Sequence, residues 1–218
     1  MTSPYTCVLL DLDGTIADSA PGITACLAET FEQLGMPVPS PAKLLEYVGP
    51  PILESFGHLA GMSADDAVWA LTIYRKHYLD HGVGNLTIYP GVAEVMRRIH
   101  GSPMALSLAT SKPESLARIA LTELDVLQYL DVLTGASEDE VRSAKADVVE
   151  EALLRLEAFG ADISRPVMIG DRSYDVEGAA EHNVPTIFVE WGYGSPVEQV
   201  GTVGVAKDAA ELTRLLFP

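Results

Sequence analysis

The chain has 218 residues, enough for one α/β core plus a modest insertion. Its 14 Lys and Arg stand against 31 Asp and Glu, a formal net charge of −17, which excludes a broad electrostatic footprint for nucleic acid or an anionic membrane. The two cysteines, Cys7 and Cys26, fit reduced core thiols rather than a disulfide framework, and no apolar stretch approaches the ~18 residues of a membrane span.

The first residues lack a charged region followed by a long apolar one, so no secretory signal is predicted and a cytoplasmic location is expected. The first element is a buried strand, Val8-Leu9-Leu10, that runs into Asp11-Leu12-Asp13-Gly14-Thr15. After Thr15 the apolar spacing turns helical. Ile23, Leu27, Thr30, Phe31 and Leu34 recur on one helix face, with Gly35 as its stop. Pro37, Pro39 and Pro41 punctuate a linker, and Pro41 suits the first turn of a short helix reaching 43–48. Gly49-Pro50-Pro51 breaks that helix, as a rigid loop facing the site or as a plain helix breaker. Two more helices are predicted over 52–59 and 64–79, and no strand in this stretch. His77 and His81 lie four apart on the last of these, as zinc ligands can. With no second ligand cluster beside them in the sequence, they read as a solvated or core-edge pair.

From Tyr89-Pro90-Gly91 onward, helices and strands alternate. Strands are predicted over 104–109, 132–134, 167–169, 186–189 and 203–206, and helices over 92–99, 113–124, 144–159, 173–182 and 209–216. This alternation predicts a doubly wound parallel sheet covered on both faces, an α/β core formed by residues 1–15 and 90–218. Residues 16–89 then form an inserted all-helical cap.

In an open α/β sheet, ligands bind beyond the carboxyl ends of the strands. Two acids packed at such a strand exit, Asp11 and Asp13, disfavour folding unless something cationic compensates. A second strand exit carries Thr110-Ser111-Lys112-Pro113, a hydroxyl followed by a helix start. Free N–H groups and the helix dipole there favour an anion, although N-capping by Thr110 or Ser111 is the plainer use. A third carries Asp171 after Gly170, with Asp175 four residues on and on the same side of the turn; helix capping is again the plain alternative. Lys145 opens the helix before it, with Lys112 as a competitor for the same role. Each feature alone fits a turn or a cap. Jointly, four successive strand ends supply Asp-X-Asp, a hydroxyl, a lysine and an acid pair.

This order of motifs resembles that of the haloacid dehalogenase superfamily of phosphohydrolases, from Val8 to about Val189. The helical insertion directly after Asp11-Leu12-Asp13-Gly14-Thr15 resembles the cap of its phosphoglycolate phosphatase-like and β-phosphoglucomutase-like branch. Ala146 follows Lys145 where many relatives carry proline. The resemblance implies a Rossmann-like core and a Mg²⁺-dependent phosphatase acting on a small phosphorylated metabolite, phosphoglycolate-like, through an aspartyl-phosphate. It implies Asp11 as nucleophile and Asp13 as general acid and base, with Thr15 orienting Asp13. Thr110 and Lys145 would hold phosphoryl oxygens, and Gly14, Thr15 and Ser111 would surround the substrate. Asp11, Asp13 through its backbone carbonyl, and Asp171 would hold Mg²⁺, with Asp175 in support. At ~4 Å each like-charge pair costs about 1–4 kcal/mol for effective dielectrics of 80 to 20, so one lysine cannot offset them all.

Within the cap, Arg75, flanked by Tyr74 and Lys76, is a candidate to meet an anionic substrate group. Trp191-Gly192-Tyr193-Gly194 resembles a loop of phosphoglycolate phosphatase-like relatives and carries no assigned chemistry. The alternatives to a phosphoglycolate-type phosphatase are a 5'-nucleotidase, a sugar-phosphate phosphatase, a phosphomutase of the same superfamily, or a phosphoryl-accepting signalling module. The expected partner is the small phosphorylated metabolite, with no nucleic acid and no membrane, and the expected state is a monomer or homodimer.

Overall fold

Residues 3–218 are described by a computed structural model. The apolar run Cys7–Leu10 forms β1, buried on both faces at the centre of the molecule. It is flanked in parallel by β4 (Ala105–Pro113) and β6 (Pro166–Gly170), with Leu10 opposite both Leu108 and Ile169. Outside these lie β5 (Val132–Ala136), β7 (Thr186–Val189) and β8 (Gly204–Ala206), giving a six-stranded parallel sheet in the order β5-β4-β1-β6-β7-β8. The order reverses direction beside β1, and that is where a doubly wound sheet opens a crevice.

Alternation along the strands sorts the core into two layers. Val8, Leu10, Leu106, Leu108, Val167 and Ile169 face α5 (Val92–His100), α6 (Glu114–Glu123) and α9 (Ala209–Leu216). Cys7, Leu9, Ala109 and Met168 face α7 (Lys145–Phe159) and α8 (Ser173–Ala180).

The segment after β1 leaves the sheet through β2 (Ala17–Asp18) and returns through β3 (Thr87–Ile88), which pair antiparallel as a two-stranded ribbon. Between them lie α1 (Ala20–Gln33), α2 (Pro41–Leu45), α3 (Ile52–His58) and α4 (Ala64–His77). Their apolar faces form a separate cluster around Phe31, Tyr47 and Phe56, whose ring centroids are 6.0–6.2 Å apart in edge-on and tilted contacts. The α4 helix ends by widening into a π-helical turn over Tyr78–Gly82.

Two expectations change. The insertion is not wholly helical: the β2–β3 ribbon closes its base, each strand being only two residues long and so too short to show a period. The strand carrying Thr110 does not stop there. It continues irregularly to Pro113, which is the N-cap, and α6 starts at Glu114, so Thr110 and Ser111 sit in the strand and neither caps the helix.

Candidate active site

The site forms where β1 ends. Asp11 continues the sheet for one more residue, its N–H donating to Ile169 O at 3.0 Å, before the chain turns back on itself. In that turn the N–H groups of Ile16 and Ala17 donate to Leu12 O at 2.9 and 3.0 Å. Gly14 has φ 84°, and a Cβ there would stand 2.3 Å from Asp171 Oδ2, so both the bend and the approach of Asp171 require glycine.

Asp11, Asp171 and Asp175 are buried and offer carboxylate oxygens within 4.8 Å of one another. Lys145, at the first position of α7, places Nζ 2.8 Å from Asp11 Oδ1, 2.8 Å from Asp175 Oδ1 and 3.0 Å from Ala109 O. Asp175 Oδ2 also accepts the N–H groups of Asp171 and Arg172, each at 3.1 Å, which fixes the start of α8. Among the described residues the Asp171 carboxylate has neutral hydrogen-bond donors only: Thr15 Oγ1 at 3.2 Å and the Tyr193 N–H at 2.7 Å.

The electrostatics follow from this packing. Burial, helped by Asp175 and Asp13 and opposed by Lys145, pushes the Asp11 carboxyl up to about 6. Burial, then Asp175 and Asp11, push Asp171 well above the ordinary carboxylate range. Burial works against the charge of Lys145, but Asp11 and Asp175 outweigh it and hold the ammonium above its usual value. Three buried acids facing one ammonium leave a site short of positive charge, and every donor is oxygen. That donor set fits a hard divalent cation.

Asp13 turns the other way, toward the insertion. Its Oδ1 accepts from Ser19 Oγ and Lys112 Nζ, both at 2.5 Å, and Lys112 Nζ lies 5.2 Å from the centroid of the Tyr78 ring. Asp13, Ser111 and Lys112 form the core wall of a cavity whose far wall comes from Tyr47, Tyr74 and Arg75 of the insertion. Thr110 is buried within β4, three residues before its end, and its hydroxyl accepts the Lys112 N–H at 3.3 Å.

The structure thus brings Asp11, Asp13, Gly14, Thr15, Thr110, Ser111, Lys145, Asp171 and Asp175 to one crevice at the ends of β1, β4 and β6. Thr15 does not bond Asp13 as expected; its hydroxyl donates to Asp171, and Ser19 serves Asp13 instead. Arg75 lines the cavity but is already engaged, forming an ion pair with the Glu140 carboxylate and donating to Glu138 O at 3.2 Å. Lys112, read only as a competitor for Lys145, is buried in the site beside Asp13. Gly49 and Pro50 line the cavity, and Val48 O accepts from Arg172 Nη1 at 2.7 Å across the crevice.

The Trp191–Gly194 loop also belongs to the site. Tyr193 donates its N–H to Asp171, while its hydroxyl donates to Asp18 Oδ1 at 2.7 Å and accepts the N–H groups of Ser19 and Ala20 at 2.8 and 2.9 Å. Trp191 Nε1 donates to Thr15 O at 3.1 Å. No sequence signal marks these contacts, because the tyrosine reaches residues about 175 positions away.

The family model for haloacid dehalogenase-like hydrolases matches residues 8–189. The tyrosine-protein kinase PtkA of Mycobacterium tuberculosis is 38% identical over 188 residues, 86% of this chain and 62% of that protein. The chain therefore matches less than two thirds of the length of that relative. A 5'-nucleotidase of Pseudomonas aeruginosa is 30% identical over 194 residues, covering 89% of this chain and 86% of the relative. The crystal structure of a predicted phosphatase from Clostridium acetobutylicum superposes with a TM-score of 0.90 at 32% identity, covering 96% of this chain and 97% of that one. The chain belongs to the haloacid dehalogenase-like hydrolases.

Proposed function

We propose that the protein is a Mg²⁺-dependent phosphatase that hydrolyses a small phosphomonoester through a phosphorylated Asp11. The observation that carries this reading is the convergence of Asp11, Asp171 and Asp175, with Lys145 bound to Asp11 and Asp175 and Asp13 alongside, facing a cavity.

Asp11 attacks phosphorus, the bond from phosphorus to the leaving oxygen breaks, and Asp13 gives that oxygen its proton. A water then attacks the aspartyl-phosphate and passes its proton to Asp13. The bond from Asp11 to phosphorus breaks, and inorganic phosphate leaves. Lys145 holds Asp11 in place and offsets the charge of the incoming phosphate; Thr110 and Ser111 of β4 supply hydroxyls to its oxygens. Ser19 and Lys112 fix the carboxylate of Asp13 toward the leaving group. Asp11, the Asp13 carbonyl and Asp171 would hold Mg²⁺, with Asp175 steadying Lys145 and the α8 start. The ion supplies charge neutralisation at the phosphoryl group.

The insertion serves as a cap over residues 16–89 that shields the reaction from bulk water and selects the leaving group. Tyr47, Tyr74 and Tyr78 give the leaving group an aromatic wall, and Glu140 neutralises Arg75, the cation at its edge. These contacts favour an uncharged leaving group over the carboxylate of phosphoglycolate.

The test is steady release of inorganic phosphate from p-nitrophenyl phosphate and a panel of metabolite monoesters, with Mg²⁺ or with EDTA. Multiple turnovers that require Mg²⁺ and disappear in Asp11→Asn support the reading. Turnover by Asp11→Asn, or a single stoichiometric phosphorylation without release, overturns it.

A further inference from the structure

Within the insertion, α1 and the end of α4 bring together donors that the proposed hydrolysis does not use. Glu29 Oε2 lies 3.1 Å from His77 Nδ1 and 3.0 Å from His81 Nε2, and all three donor atoms fall within 4.8 Å of one another. The two imidazoles meet at an interplanar angle of 62°, both directed at the same oxygen. A tetrahedral zinc ion with Zn–N and Zn–O bonds of about 2.0–2.2 Å holds its ligand atoms roughly 3.3 Å apart, close to these separations.

The hydrogen bonding around His77 points the same way. Its other nitrogen, Nε2, lies 3.0 Å from Gln33 Oε1. A carbonyl oxygen only accepts, so Nε2 carries the proton, and in the neutral form of the ring Nδ1 then turns a lone pair toward the Glu29 carboxylate. Two acceptors face each other there unless a cation lies between them or the ring itself is charged. A metal-bound histidine that donates its remote N–H to a carbonyl has this arrangement.

The backbone is shaped to make the approach possible. The π-helical turn, with the Val83 N–H donating to Tyr78 O at 2.8 Å, brings Gly82 against α1. A Cβ on Gly82 would stand 2.6 Å from Cys26 Sγ, so only glycine lets this turn lie so close to the helix that carries Glu29. Such turns recur at functional positions. The side chains of His77, His81 and Glu29 are 22%, 47% and 43% exposed, open to an ion from solution.

We infer that Glu29, His77 and His81 form a Zn²⁺ site that clips α1 to the end of α4, with water in the fourth position. Two imidazoles and one carboxylate select zinc over magnesium, which prefers an all-oxygen shell. The spacing of the histidines is visible in the sequence; the missing ligand comes from α1, nearly fifty residues away.

The full chain, stripped with EDTA and returned to excess Mg²⁺ to keep the Asp11–Asp171 cluster occupied, is titrated with Zn²⁺ by calorimetry. Side-chain nitrogen NMR of the five histidines is recorded alongside. One equivalent binds, shifting His77 and His81 while His58, His100 and His182 stay in place. Glu29→Gln and His81→Ala, both at exposed positions, each weaken binding at least tenfold. Gln33→Ala, which removes the carbonyl behind His77, weakens it about 10-fold or more. The proposal is overturned if Zn²⁺ binds with no shift of His77 and His81, if affinity is unchanged in Glu29→Gln and His81→Ala, or if no equivalent binds under excess Mg²⁺.

Discussion

The ammonium of Lys112 lies 2.5 Å from the Asp13 carboxylate, at the wall of the cavity beneath the cap. Lys145 makes the matching contact with Asp11 at 2.8 Å and adds Asp175 at the same distance. The two lysines therefore divide Asp11, Asp175 and Asp13 between them, one serving the proposed nucleophile and the other the proposed acid and base, while Asp171 pairs with neither.

Lys145→Ala should lower kcat far more than Lys112→Ala, because it leaves Asp11 and Asp175 facing each other without a counter-ion. Removing one partner of a buried ion pair costs about 3–5 kcal/mol, so thermal unfolding should be followed beside kcat. A deeper loss of kcat in Lys112→Ala would move the phosphate-binding role to that residue.

Asp171→Asn should stabilise the metal-free protein while removing its response to Mg²⁺. The asparagine keeps the shape of the site: its oxygen can accept the Tyr193 N–H and its amide can donate to Thr15 Oγ1. It also takes away a buried carboxyl whose charged form is disfavoured by burial and by Asp175 and Asp11, and which forms no ion pair among the described residues. A gain of about 1 kcal/mol corresponds to about 2–4 °C in Tm for a chain of this size. A lower Tm in EDTA would mean that the charge at Asp171 is compensated by the fold itself.

The raised carboxyls set the direction of a pH effect. Asp11, near 6, and Asp171, well above its ordinary range, keep protons in the folded state that the unfolded chain has already released. Without metal, their contribution to stability is therefore present at low pH; for Asp11 it is lost as pH rises from about 4 through 6, and for Asp171 the loss runs in the same direction. On the proposed function Mg²⁺ binds the deprotonated carboxylates, and it should then restore what is lost. At ~100 times its dissociation constant it contributes about 2.7 kcal/mol, or roughly 5–10 °C in Tm. Scanning fluorimetry with and without Mg²⁺ should show a larger metal-induced gain at about pH 7.5 than at about pH 5. An equal gain at both would place the ion elsewhere.

Glu140→Gln should shift substrate preference toward carboxylate-bearing monoesters. Glu140 neutralises Arg75 at the cavity edge; the amide keeps the size and removes the charge. The kcat/KM ratio of phosphoglycolate to p-nitrophenyl phosphate should rise about tenfold, equivalent to ~1.4 kcal/mol. An unchanged ratio would mean that Arg75 does not meet the leaving group.

Much of this site can be read from the chain because strand ends carry it. Val8-Leu9-Leu10 stopping at Asp11, and Met168-Ile169-Gly170 stopping at Asp171, place the acids in register once the strands are known to be parallel neighbours. Side chains that reach across the fold are another matter. Ser19 reaches Asp13 only because it directly follows the two-residue β2 strand, and Tyr193 reaches Asp18 only because the loop after β7 passes beside β2. Neither contact leaves a periodic trace. The pairing of Arg75 with Glu140 has the same origin: the partner sits on a loop 65 residues away, with φ 62° at Glu140.

Tyr193 holds Asp171 by its backbone and the Asp18–Ala20 junction by its phenol. If the insertion moves as the proposed cap, a rotation that pulls on Ala20 strains the same residue that aims the Asp171 carboxylate at the proposed ion. Reciprocity then requires that an ion which firms up Asp171 also stiffens the neck on which the lid swings. Opening for product exit and loosening of the metal become two readings of one joint.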